Sequence, residues 1–133
     1  MDAGDLVRSA LEAMGRAHAP YSRFPVGAAV RSDAGTFIGV NVENSSFGLT
    51  ICAERVAIGS AVAAGATVVD LVVVATTSSP PAMPCGACRQ VISEFGAGAE
   101  VLVVNDQGEQ RRASMQDLLP MGFSYDSQPG VNE

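Results

Sequence analysis

The sequence predicts an α/β fold in which helices pack against a mixed five-stranded β-sheet. Two short segments, 68–75 and 100–105, are almost continuously apolar, which is typical of strands that are buried on both faces of a sheet. Segments with apolar residues at helical spacing alternate with these strand-like segments along the chain. The chain has 133 residues, of which 47% are hydrophobic, so it is long enough for one domain with a buried core and short for two.

The first part of the chain predicts a helix followed by a β-hairpin. Apolar residues recur at helical spacing from Gly4 to Ala17, which indicates an amphipathic helix. The helix should end before Pro20, because the residue that precedes a proline is biased away from the helical conformation. The segments Val26–Arg31 and Thr36–Asn41 are strand-like, and the turn-forming residues Ser32–Gly35 join them.

The rest of the chain predicts two longer helices, three further strands and a short helix. The longer helices are expected over Cys52–Gly65 and Cys85–Phe95, because Gly65 and Gly96 are stop signals. The two apolar strands described above follow them, and Glu109–Arg112 is a weaker fifth strand. Ser114 is a candidate cap for a short helix, Met115–Leu119, which stops before a proline.

All three cysteines lie in two short runs, and each run opens a predicted helix. Cys85 and Cys88 are three residues apart, so both sulfurs project from the same face of the first helical turn. Cys52 opens the other helix. The start of a helix carries unpaired N–H groups and partial positive charge, which favours the thiolate form that a divalent metal needs. The three cysteines are therefore predicted to hold one metal ion.

The neighbouring residues predict an open zinc site. A structural zinc ion has four protein ligands, whereas a catalytic one keeps a position for water. The single histidine, His18, stands far upstream beside a proline and is interpreted as a helix-end residue rather than a fourth ligand. Glu54 is too close to Cys52 in sequence to be an easy ligand, but it can reach a water molecule and carry its proton. The sequence thus indicates a hydrolytic zinc with Glu54 as the proton carrier.

Two arginines stand beside the predicted ligands. Arg55 is three residues after Cys52, and Arg89 directly follows Cys88. Because three thiolates on a divalent cation leave net negative charge, the metal would be a weak Lewis acid, and guanidinium donors near the sulfurs would withdraw charge and hold their geometry. The alternative is that both arginines are ordinary charges on a helix surface.

Composition restricts the partners and the compartment. A formal net charge of −6 argues against a nucleic acid partner, and the absence of lysine excludes Schiff-base and P-loop chemistry. An odd number of cysteines without a secretory leader indicates the reducing cytoplasm. No apolar run reaches the length of a membrane span, so no membrane partner is expected. The mostly polar residues from Ser124 onward are expected to form a mobile tail.

The motifs match a known pattern. The runs C-A-E and P-C-G-A-C correspond to the signature of zinc deaminases, in which a glutamate that is not a ligand follows the first ligand. The chain resembles the cytidine deaminase family, specifically its small form with three cysteine ligands. The resemblance rests on five ordered motifs between Tyr21 and Phe123: Tyr21–Ala28, Asn41–Asn44, Cys52–Arg55, Cys85–Gln90 and Leu118–Pro120.

This resemblance implies a fold, an activity and an assembly. The implied fold is a single three-layer α/β/α domain over residues 1–133. The implied activity is zinc-dependent hydrolytic deamination of cytidine, and of deoxycytidine, to the corresponding uridine and ammonia in pyrimidine salvage. The implied assembly is a cytoplasmic homotetramer with one Zn²⁺ per subunit. A related deaminase acting on a blasticidin-type antibiotic, a free base or deoxycytidylate is one alternative. A noncatalytic binding module whose zinc shell is completed by His18 is the other.

The resemblance also assigns residues to the substrate. Phe24, which by residue type alone would be a core aromatic, matches the phenylalanine that borders the pyrimidine pocket. Asn41 and Glu43, which alone could be loop residues, match the pair that hydrogen-bonds the ribose 3′-hydroxyl. Such a pair suits a neutral sugar and would repel a phosphate. The backbone N–H groups of Ala53 and Cys85 and the carbonyl of Pro84 are implied to orient the base.

Three further positions match residues that the family contributes to a neighbouring subunit's pocket. They are Ser45, Phe47 and Phe123. Ser45 stands where alanine is commoner in the family. Phe123, without the resemblance, would be interpreted as a residue that packs locally before the tail.

Overall fold

The computed structural model describes residues 1–125. The strands form one sheet in the order β2-β1-β3-β4-β5, in which β3 and β4 are parallel and the other neighbours are antiparallel. The predicted mixed five-stranded sheet is confirmed. The elements are α1 (Ala3–Met14), β1 (Gly27–Ser32), β2 (Gly35–Val40), a 3₁₀ turn (Phe47–Leu49), α2 (Ala53–Ala63), β3 (Val69–Thr76), α3 (Gly86–Phe95), β4 (Glu100–Asn105), β5 (Gln110–Ser114) and α4 (Met115–Leu118).

Helices cover both faces of the sheet, which gives the three-layer α/β/α arrangement. Side chains along each central strand alternate between two apolar clusters, as the period of two in a strand requires. On one face, Leu6 and Ala10 of α1 pack against β1, β3 and β4. On the other face, helices α2, α3 and α4 pack against the same strands. Both faces of the three central strands are therefore buried, which explains the nearly continuous apolar sequences of β3 and β4.

A glycine allows α2 to begin close to the sheet. A Cβ atom on Gly39 of β2 would lie 2.3 Å from the backbone oxygen of Ala53 and 2.5 Å from the backbone nitrogen of Ala57. Only a residue without a side chain fits such an approach. The first turn of α2, with Cys52 as its N-cap residue, is therefore held directly against β2.

The first helix is shorter than predicted, because it ends at Met14 rather than Ala17. The next residues form tighter i→i+3 hydrogen bonds, from Arg16 to Ala13 and from Ala17 to Met14. The chain then extends, and His18 forms an isolated parallel bridge with Val42. This pairing connects positions that are distant in sequence, so local spacing could not indicate where the helix stops.

The C-terminal elements differ from prediction by one or two residues. Strand β5 covers Gln110–Ser114 instead of Glu109–Arg112, because the backbone N–H of Glu109 is used in the preceding turn, where it donates to Asn105 Oδ1. The predicted cap is present, since Ser114 Oγ accepts from the N–H of Asp117 at 3.1 Å. The tail that was predicted from Ser124 falls mostly on residues 126–133, which lie outside the described residues. Among residues 1–125, no helix has the length and apolar character needed to span a membrane.

Candidate metal centre

The three cysteine sulfurs converge at the starts of two helices. Cys52 and Cys85 are the N-cap residues of α2 and α3, and Cys88 lies in the first turn of α3. Their Sγ atoms all lie within 4.8 Å of one another, and those of Cys52 and Cys85 are 4.0 Å apart. Two thiolates on a tetrahedral zinc, each bonded at about 2.3 Å, would be about 3.8 Å apart. The donor atoms and their spacing therefore fit a zinc ion.

No fourth side chain joins this group. Within residues 1–125, the cluster of possible metal ligands contains the three cysteines and does not include His18 or a carboxylate. The backbone of His18 instead bonds to the segment after β2, where its N–H donates to the Asn41 carbonyl at 3.0 Å. A zinc ion held by the cysteines would thus keep a position for a small molecule, as in catalytic zinc sites.

The cysteine side chains form hydrogen bonds with one another, and Cys52 also accepts one from Arg55. Hydrogen bonding from Cys88, helped by Arg55, lowers the pKa of Cys52 to about 5. The same contact with Cys52, together with burial, raises the pKa of Cys88 well above its usual value. Arg55 Nη2 lies 3.5 Å from Cys52 Sγ and 3.4 Å from the Thr50 carbonyl. A metal ion would displace the proton between the sulfurs, and Cys52 would already be present as a thiolate.

Glu54 is a buried carboxyl beside this cluster. It lies in the first turn of α2, is 4% exposed and lines the pocket described below. Burial, together with the negative charge of Cys52, raises the pKa of Glu54. A carboxyl in such surroundings can hold and release a proton, which is the property needed for general acid–base chemistry.

Arg89 makes its hydrogen bonds to backbone carbonyls. Its Nε donates to the Pro84 carbonyl at 2.7 Å, and its Nη1 donates to the Leu118 carbonyl at 2.9 Å. Among the hydrogen bonds of the described residues, none joins Arg89 to a cysteine sulfur. Arg89 therefore fixes the loop that leads to Cys85, whereas Arg55 contacts a sulfur directly.

A pocket of about 260 Å³ opens beside the cluster. It brings together five of the residues that the sequence assigned to substrate or catalysis, and two of the three cysteines. The sequence did not indicate several residues of the pocket wall, among them Ser22, Thr50 and Met83, although Ser22 lies in the Tyr21–Ala28 motif. Pro84 and Cys88 lie next to the pocket without lining it. The lining residues are Ser22, Phe24, Val26, Asn41, Glu43, Thr50, Cys52, Ala53, Glu54, Val74, Thr76, Ala82, Met83 and Cys85.

Asn41 and Glu43 both bond to the segment that carries Phe24. Asn41 Oδ1 accepts from the Val26 N–H at 2.9 Å, and Asn41 Nδ2 donates to the Phe24 carbonyl at 2.9 Å. Glu43 Oε1 accepts from the N–H groups of Tyr21 and Ser22 at 2.9 and 3.1 Å. Hydrogen bonding from Ser22, chiefly from its hydroxyl, lowers the pKa of Glu43. Glu43 is therefore ionised at neutral pH.

The three positions assigned to a neighbouring pocket lie at the surface. Phe47 is 71% exposed and makes an edge-on contact with the ring of Tyr21, with ring centroids 5.6 Å apart. The hydroxyls of Ser45 and Tyr21 are 2.6 Å apart. Phe123 is 61% exposed, and its carbonyl accepts from Gln90 Nε2 at 3.1 Å.

An α/β/α fold with three converging thiols, beside a pocket that contains a buried carboxyl, is typical of the class of zinc-dependent deaminases. Comparison with known proteins gives the same class. The family described as the cytidine and deoxycytidylate deaminase zinc-binding region matches residues 2–104. The chain belongs to this family, and the predicted zinc-dependent aminohydrolase is confirmed.

Relatives match almost the whole chain. The cytidine deaminase of Sporosarcina psychrophila is 41% identical over 126 residues, which are 93% of this chain and 93% of that protein. The probable cytidine deaminase of Dictyostelium discoideum is 47% identical over 112 residues, which are 83% of this chain and 76% of that protein. The crystal structure of cytidine deaminase from Burkholderia pseudomallei superposes with a TM-score of 0.88 at 46% identity, covering 92% of this chain and 100% of that chain. The predicted fold class is confirmed.

Proposed function

We propose that this protein hydrolyses the amino group of cytidine, and of deoxycytidine, to give the corresponding uridine and ammonia. The observation that carries the proposal is that one pocket is lined by two of the clustered cysteines, by Glu54, and by Asn41 and Glu43. The similarity to cytidine deaminases over 93% of the chain supports the same activity.

The residues of the chain divide the chemistry among them. Cys52, Cys85 and Cys88 would hold Zn²⁺, which when bound lowers the pKa of a water molecule in its open position. Glu54 would take a proton from the attacking water and deliver it to N3 of the cytosine ring, while the water oxygen bonds to C4. It would then take the proton of the new C4 hydroxyl and give it to the amino group, so that the C4–N bond breaks, a C4 carbonyl forms and ammonia leaves. Arg55 donates to a ligand sulfur and so keeps the cluster from becoming too rich in negative charge.

The pocket wall suits a nucleoside better than a nucleotide. Phe24 would lie against the base, and the Ala53 N–H and the Pro84 carbonyl would orient it. A carboxylate has about four acceptor positions, and the described residues occupy three on Glu43, so one remains for a sugar hydroxyl. Because Glu43 is ionised, it would repel a phosphate attached to the sugar.

We further propose that the chain works as a single-domain subunit of a homotetramer, with one Zn²⁺ per subunit, in cytoplasmic pyrimidine salvage. Four apolar side chains after β2 support assembly, because they are 40–71% exposed on one stretch of chain. They are Val42, Phe47, Leu49 and Ile51. Ser45, Phe47 and Phe123 would then contribute to the pocket of a neighbouring subunit.

An activity assay on purified protein of measured zinc content tests the proposal. Loss of ultraviolet absorbance is followed for cytidine, deoxycytidine, deoxycytidylate and cytosine at equal concentration. Both nucleosides should be converted, and deoxycytidylate and cytosine should be poor substrates. Preferential conversion of deoxycytidylate would contradict the role of Glu43. A zinc-loaded protein that converts none of the four would contradict the enzymatic proposal and favour a binding module.

A further inference from the structure

The five-residue segment Tyr21–Pro25 lies between α1 and β1. It forms the part of the pocket wall that contains Phe24. Two side chains from the segment after β2 hold it. Asn41 bonds to backbone atoms on both sides of Pro25, and Glu43 accepts two backbone N–H groups at the start of the segment. Arg23 in its middle has φ of 56°, a conformation that a residue with a side chain keeps only when its surroundings impose it.

The hydroxyl of Ser22 connects Glu43 to the backbone of Phe24. Ser22 Oγ donates to Glu43 Oε2 and accepts from the Phe24 N–H at 3.0 Å. The direction of both hydrogen bonds is fixed, because an ionised carboxylate can only accept and an amide N–H can only donate. The single proton of the Ser22 hydroxyl is thus committed to Glu43, and its oxygen is committed to Phe24.

We propose that Ser22 is a positioning residue for nucleoside binding, whose hydroxyl sets Phe24, at the base, relative to Glu43, at the sugar. This inference rests on the proposed function for the assignment of base and sugar. The bridge itself is a property of the protein without substrate.

The chemistry of the two neighbours explains why a hydroxyl is needed. Without it, Glu43 Oε2 would lose its donor and could turn toward solvent, while the Phe24 N–H would lose its acceptor. The strained turn at Arg23 would then be held only by the remaining bonds, and Phe24 would sample several positions. Binding of the nucleoside would have to select one of them, which weakens apparent affinity without altering the groups that carry out the reaction.

The test compares Ser22→Ala with Ser22→Thr, which keeps the hydroxyl, and with Ser60→Ala, which removes an exposed hydroxyl from α2. In zinc-loaded protein, Ser22→Ala should raise KM for cytidine about tenfold, the effect of one lost hydrogen bond to a charged group, and change kcat less than threefold. Ser22→Thr should stay close to the wild type, and Ser60→Ala should equal it.

A second readout does not depend on turnover. Carbon-detected NMR titration should show the pKa of Glu43 rising in Ser22→Ala, while the pKa of Asp33 stays unchanged as an internal reference. If Ser22→Ala fails to fold, Ser22→Cys, with a weaker donor, should give intermediate KM and Glu43 pKa values.

The outcomes separate this inference from the proposed function. An unchanged Glu43 pKa in Ser22→Ala, or wild-type values in Ser22→Cys, overturns the bridge even if cytidine is a good substrate. A fall in kcat with KM unchanged overturns the positioning role. If the wild type converts no cytidine, the proposed function fails, and the titration still decides whether the bridge exists.

Discussion

Among single residues, Glu54 is a titratable side chain in the pocket whose ionised form has lost most of its contact with water. It is 4% exposed, and it lies beside the negatively charged thiolate of Cys52. An ionised carboxylate in such a place is destabilised unless it performs a task that offsets the cost. Proton transfer beside a metal is such a task.

Glu54→Gln tests this role without changing the shape of the side chain. The amide cannot accept and return a proton, so we expect turnover of cytidine to fall by about 10²–10⁴-fold. Zinc content should be unchanged, because the amide does not alter the three sulfurs. The measurement is kcat together with metal analysis of the same sample. Normal turnover in zinc-loaded Glu54→Gln would contradict the assignment.

At the scale of elements, the two helices that carry the cysteines are anchored by contacts from distant parts of the chain. The loop before α3 contains several prolines, which cannot donate backbone hydrogen bonds. Its carbonyls are instead held from outside: Asn105 Nδ2 donates to the Ser78 carbonyl at 3.0 Å, and Arg89 donates to that of Pro84. The position of Cys85 thus depends on β4 and on α4 as well as on its own helix.

Arg89→Ala should loosen this loop. Loss of two hydrogen bonds from a charged group should lower the free energy of unfolding by about 2 kcal/mol or more and weaken zinc retention against a chelator. Arg89→Lys keeps the charge but cannot reach both carbonyls with a planar fork, so its effect should be intermediate. Arg16→Ala removes an exposed arginine of the α1 end and should be nearly neutral. Unaltered stability and zinc retention in Arg89→Ala would show that the loop is held without it.

Asp33 ties the β1–β2 turn to the residues just before β3. Its carboxylate accepts from the hydroxyl of Thr67 at 2.5 Å and from the N–H groups of Thr67 and Val68 at 2.9 and 3.1 Å. The hydroxyl of Thr67, followed by these backbone groups, lowers the pKa of Asp33 to about 2.

Stability should therefore depend on pH through Asp33. An aspartate in the unfolded chain has a pKa of about 3.9, so the folded state gains from Asp33 above about pH 4 and loses that gain as the pH falls toward 2. Asp33→Ala should have a lower melting temperature than the wild type at pH 6, and the difference should shrink below pH 4. Asp106→Ala, in the exposed β4–β5 turn, is the control. A difference that does not vary between pH 6 and pH 3 would argue against the pKa shift.

At the scale of the whole molecule, the parts that the sequence predicted are those whose signal is local. Strands β3 and β4 were found because burial on both faces makes them continuously apolar, and the cysteines were found because two lie on one helical turn. The missed features join distant positions. They are the His18–Val42 bridge, which follows the first helix, the Arg89–Leu118 bond across 29 residues, and the Ser22–Glu43 bond across 21 residues. Spacing along the chain carries no information about such pairs.

The metal should couple the site to the stability of the whole fold. The sulfurs belong to two helices that pack on one face of the sheet, so an ion that binds all three would hold α2 and α3 together. A ligand that binds only the folded state stabilises it by about 2.7 kcal/mol at one hundred times its dissociation constant. Chelation should therefore abolish turnover and also lower the melting temperature by several degrees.

Added Zn²⁺ should restore both properties of the chelated protein. Glu54→Gln separates the two effects, because it should lose and regain thermal stability with zinc as the wild type does while remaining inactive. Cys88→Ser, which replaces the buried thiol with a poorer ligand, should show a much smaller zinc-dependent shift in melting temperature. Full turnover in metal-free protein, or a melting temperature indifferent to zinc in the wild type, would mean that the three thiols do not bind the ion that joins the two helices.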